Sequence, residues 1–81
     1  MSALVASGDY RMFLKQSIAE VRSDILEVDN SPQDEAWLWH QLGSLYGQLG
    51  NMEKQREAWK KAKELDPESD MITASLESLS I

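Results

Sequence analysis

Cysteine is absent from the 81 residues, so no disulfide braces the fold and no thiolate binds a metal or attacks a substrate. Redox therefore sets no limit on the compartment, and the cytoplasm is the default expectation. Histidine occurs once, too few ligands for an imidazole metal centre. Only two prolines and four glycines, in a composition 42% hydrophobic and 27% charged, argue against a disordered tail. No apolar run approaches the roughly 20 residues that span a bilayer, and the opening Met1–Ala6 lacks the basic region and longer apolar stretch of a signal peptide. Basic residues are in the minority, 8 Lys and Arg against 14 Asp and Glu for a net charge of -6. That balance opposes attraction to nucleic-acid phosphates and anionic lipid. There is no G-x-S-x-G, no H-E-x-x-H and no phosphate loop, and the one histidine offers serine a single conceivable base. Neither an enzyme nor a cofactor is expected. The acidic stretch Asp29–Glu35 lacks the central glycine and terminal glutamate of a calcium loop and reads as a solvated linker.

What is present is helical periodicity, in a chain 42% hydrophobic that suffices for one small domain. Leu14, Ile18, Val21, Ile25 and Val28 recur at alternating four- and three-residue steps, which predicts a helix over about 9–28, capped by Ser7 or Asp9. Asn30-Ser31-Pro32 closes it, because the residue before proline leaves helical space. A second helix is placed at about 34–49, with Pro32 suited to its first turn and Asp34 and Glu35 meeting the positive end of its dipole. It carries Trp37, Leu38, Trp39, Leu42, Leu45, Tyr46 and Leu49, and Gly50 supplies a left-handed C-terminal residue. A third spans about 52–65 with Met52, Ala58, Trp59, Ala62 and Leu65 inward. Five of the eight basic residues fall between Lys54 and Lys63. They read as a solvated face interleaved with Glu53, Glu57 and Glu64, contact with an acidic partner being the other reading. Ser69 caps a fourth helix at about 69–79, which turns Ile72, Leu76 and Leu79 inward and Thr73, Ser75 and Ser78 toward water. Short loops make the neighbours antiparallel, an all-α fold of helical hairpins.

Trp39, Leu42, Gly43 and Tyr46 reproduce a W-x2-L-G-x2-Y spacing. Trp59 follows as a bulky aromatic on the next helix, Ala62 comes three residues later, and Pro67 closes the unit. With Leu49-Gly50-Asn51 and Glu64-Leu65-Asp66, this segment of 34–67 resembles a tetratricopeptide repeat. The resemblance implies a solenoid-type hairpin in which Gly43 lets the paired helices approach while Trp39, Tyr46 and Trp59 fill the space around that contact. One departure stands out: Gln55 occupies a position where the family usually has Ala, so its amide must snorkel outward or find a hydrogen-bond partner. Within a single domain over 1–81, residues 1–8 then form an N-terminal segment. Residues 9–33 supply a degenerate repeat helix and its linker, and 68–81 a capping helix.

In this family the first helix of a repeat lines a groove that holds a partner segment, which implies Trp37, His40, Gln41, Ser44, Gly47 and Gln48 as groove residues here. Trp37 either packs under the first helix or stands exposed as an aromatic anchor. Gly47 either relaxes the helix near its end or, with Ser44, leaves a flat strip for another backbone. The expected function is a non-catalytic protein-interaction module for a protein or peptide, not for nucleic acid or a membrane. The alternative is a structural or assembly subunit, or a fragment of a longer solenoid, with no groove ligand of its own. Met12 and Phe13, with Leu4 and Val5 nearby, put more apolar surface at the N-terminal end than one internal stripe needs, so a homodimer is the first expectation there and a heterologous helix the second.

Overall fold

The computed structural model describes residues 7–27 and 29–79. Among them are four α-helices and no strand: α1 (Ser7–Ile25), α2 (Pro32–Gln48), α3 (Met52–Leu65) and α4 (Asp70–Ser78). The helix α2 is central, packed against α1 on one side and α3 on the other, while α4 docks on α3.

Each boundary has a local cause. The first helix ends three residues short of the periodic pattern because its last carbonyls find other donors. Leu26 and Glu27 make tighter bonds back to Ser23 and Asp24, and the Asn30 side-chain amide covers the carbonyls of Asp24 at 2.8 Å and Glu27 at 3.3 Å. Val28 lies outside the described residues. The second helix starts two residues early, at Pro32, because Ser31 accepts the Asp34 backbone N–H and proline sits where its missing donor costs nothing. At its far end Gly50 has φ of 89°. Its N–H reaches Gly47 while that of Asn51 reaches Tyr46, the paired bonds of a Schellman ending. Asn51 then turns its side chain forward to accept the Lys54 N–H and start α3. Ser69 does the same for α4 through the Ile72 N–H.

Two apolar clusters hold the helices. In the first, Ile18, Leu42 and Ala58 join α1, α2 and α3, with Val21, Ile25, Leu45, Tyr46 and Leu49 packed around them. In the second, Ala36, Ala62 and Ile72 join α2, α3 and α4. Trp39 packs against both, so its indole is the shared wall between them. The alanines let three helices converge where longer side chains would hold them apart. Leu14 is fully buried, whereas Met12 and Phe13 beside it are exposed. Met52, expected inward, is 54% exposed. It is the first residue of α3, and helical side chains lean toward the N-terminus, which carries it past the end of its helix toward solvent.

Candidate interaction surface

Gly43 is a point of close approach between α2 and α3 in the central hairpin. A Cβ built on it would lie 2.3 Å from Trp59 Cδ1, 2.4 Å from Trp59 Nε1 and 3.1 Å from the backbone oxygen of Gln55. The indole edge of Trp59 thus occupies the space that the missing side chain vacates. Its N–H donates to the carbonyl of His40 at 2.9 Å, which fixes the ring across the seam. Trp39 is tied within its own helix, donating from Nε1 to Glu35 Oε2 at 3.1 Å.

The expected groove residues divide among three neighbours. His40 stacks between Trp59, centroids 5.2 Å apart, and Trp37, 6.0 Å apart, so three rings run from α3 to the outside of α2. Its Nε2 lies 2.8 Å from Ser75 Oγ on α4. Ser75 therefore faces His40 rather than water, a correction that follows from α4 joining α2 and α3 in the second apolar cluster. Thr73 likewise meets Lys63 Nζ at 2.6 Å, which ties the end of α3 to α4. Burial holds the His40 imidazole below its ordinary pKa, because the charged ring would lose hydration there. At neutral pH it is uncharged. Ser44 donates its hydroxyl to the His40 carbonyl, Gln41 is half-buried, and Gln48 accepts from the Tyr10 hydroxyl of α1.

Gly47 does not open a flat strip. A Cβ there would lie 2.0 Å from Gln55 Nε2 and 2.7 Å from its Cδ, so the Gln55 amide fills the space beside the glycine. Gln55 does not snorkel either: it is 8% exposed, and its Oε1 is buried without a hydrogen-bond partner. The two oddities of the sequence are one feature, a polar side chain accommodated by a missing one.

Trp37 is 47% exposed. With its inner face on His40, its remaining edge borders a shallow cleft at the α1–α2 junction framed by Asp24, Glu27 and Asp34. Met12 and Phe13, at 60% and 59% exposure, form a second apolar area on α1. Leu4 and Val5 lie outside the described residues. A larger cleft of about 570 Å³ runs between α1 and α3, with Trp39, Leu42 and Tyr46 of α2 along it and Arg22, Lys54 and Lys61 among its lining. The basic run Lys54–Lys63 is legible in the sequence, but its pairing with Arg22 is not, because the packing of α1 and α3 on α2 alone brings Arg22 and Lys54 together. Among the described residues, no helix is long and apolar enough to cross a membrane.

The family model described as tetratricopeptide repeat matches residues 38–69, the segment from the Gly43 seam through the cap of α4. At a stringent threshold neither curated proteins nor solved structures give a match to this chain.

Proposed function

We propose that the chain is a non-catalytic interaction module that engages its partner through the outer face of α2, because residues 38–69 match the tetratricopeptide-repeat model, a unit that generally mediates contact between proteins. The observation that carries this reading is Trp37, a large indole left 47% exposed on top of a rigid stack of rings. An aromatic held in place from beneath loses little freedom on binding, and such residues dominate interface energies. The carboxylates of Asp24, Glu27 and Asp34 around it favour a partner segment carrying Lys or Arg beside an apolar residue. His40, Ser44 and Gln48, held by Ser75, the His40 carbonyl and Tyr10, support this face from within. Gln41 lies half-buried beside them, and Gly47 shapes the face indirectly through Gln55.

A second copy of the chain is the other partner in view, favoured by the exposure of Met12 and Phe13. The two contacts separate by mutation. Trp37→Ala, immobilised beside the wild type in native cell extract, is expected to lose partners that the wild type retains. Phe13→Ser is expected to abolish any rise of scattering mass with concentration and to lower the thermal midpoint at concentrations where the wild type self-associates. Identical retention by Trp37→Ala would remove the α2 reading, and a wild type that is monomeric at high concentration would remove the self-association.

A further inference from the structure

The cleft between α1 and α3 carries charge opposite in sign to the chain as a whole. Arg22, Lys54 and Lys61 line it with Glu57 as the single acid, in a protein with 14 acidic residues to 8 basic ones. The cations gather over apolar ground. Arg22 Nη1 stands 3.5 Å from the Tyr46 hydroxyl, and Lys54 Nζ lies 5.8 Å from the centre of the same ring. Leu26, on the α1 side of the cleft, is 81% exposed.

We propose that this cleft docks an acidic amphipathic helix of a partner protein. Apolar side chains at helical spacing would cover Leu26 and the exposed edges of Trp39 and Tyr46, and flanking carboxylates would meet Arg22, Lys54 and Lys61. The charge fixes the occupant: a basic segment is repelled by the three cations and drawn instead to the acidic frame of Trp37, while an acidic one is repelled there and attracted here. Trp37 and Trp39, two positions apart on one helix, face nearly opposite ways, so the two surfaces are separate and this proposal stands without the α2 reading.

The probe is a synthetic helical peptide with Leu at i, i+3, i+4 and i+7 and Glu between them, beside a twin with Lys for each Glu. Both are titrated into isotopically labelled full-length protein. The Glu peptide is expected to shift the Trp39 indole and the Tyr46 and Ala58 resonances, to leave Trp37 in place, and to weaken as salt is raised. The pair Lys54→Glu with Lys61→Glu, both at exposed positions, is expected to weaken it at least about tenfold with an unchanged melting curve, and Leu26→Asp to weaken it as well. Equal binding of both peptides, shifts centred on Trp37, or no shift at millimolar peptide would each overturn the proposal. So would concentration-dependent movement of the Trp39 signal without peptide, lost in the charge-reversed pair, because it would give the cleft to a second copy.

Discussion

Gly43→Leu is expected to lower the thermal midpoint by about 15 °C or more, a loss of about 3 kcal/mol or more for a domain of this size. A leucine begins with a Cβ 2.3 Å from Trp59 Cδ1, inside the contact distance of any two carbons. Trp59 has nowhere to withdraw: it is 8% exposed, stacked on His40 and bonded to the His40 carbonyl. Expelling the ring would sacrifice that bond and much of its buried area together. Gly43→Ala gives the sharper sign. In an ordinary helix this change stabilises by about 1 kcal/mol, whereas here overpacking of about 1–3 kcal/mol opposes it. The expected net effect is destabilising, read by circular dichroism melts, and a stabilised Gly43→Ala would mean that the seam is looser than the geometry requires.

The second expected result is a stabilising coupling between substitutions at positions 47 and 55, the double variant gaining more than the sum of the singles. Gly47→Ala gains about 1 kcal/mol of helix propensity but places a methyl 2.0 Å from Gln55 Nε2, so the amide must leave its place. Gln55→Ala relieves a buried oxygen without a partner, worth about 1–3 kcal/mol, but leaves space beside the glycine that offsets much of the gain. The double variant keeps both advantages, since the new methyl occupies part of the vacated space. It is expected to melt about 5–10 °C above the wild type, with a coupling of about 1 kcal/mol or more beyond the sum of the singles. Strict additivity would mean that the two side-chain sites do not share one space.

These two sites also show what the sequence could and could not convey. The Gly43 seam was legible because W-x2-L-G-x2-Y followed by Trp59 and Ala62 is a spacing pattern, and the helical repeat turns spacing directly into contact. Gly47 and Gln55 each looked anomalous alone, one as a glycine inside a helix and the other as a polar residue at a small-residue position. Their relation crosses the Schellman turn at Gly50, and nothing in a linear pattern pairs them. Ser75 was placed toward water for a similar reason: periodicity on α4 separates Ile72 and Leu76 from the serines but does not disclose that His40 lies against the polar side. Met52 followed the apolar rule and failed at a helix start. For the surface, aromatic and apolar residues in excess of the internal stripe pointed to Trp37, Met12 and Phe13. Half of the basic cleft was legible as the Lys54–Lys63 run, but its closure by Arg22 was not, because Arg22 belongs to another helix.

Trp59 seals the seam between α2 and α3, and the ring stack that it begins through His40 leaves Trp37 exposed at its outer end. Solvent exchange of the three indole N–H protons, followed by NMR in the intact chain, tests this arrangement most directly. Trp59, bonded to the His40 carbonyl at 2.9 Å and 8% exposed, should exchange slowest. Trp39, bonded to Glu35 in the wall between the clusters, should come next, and Trp37, 47% exposed, should exchange fastest. A Trp59 proton lost as quickly as that of Trp37 would contradict the packing of the seam and, with it, the outward display of the α2 face.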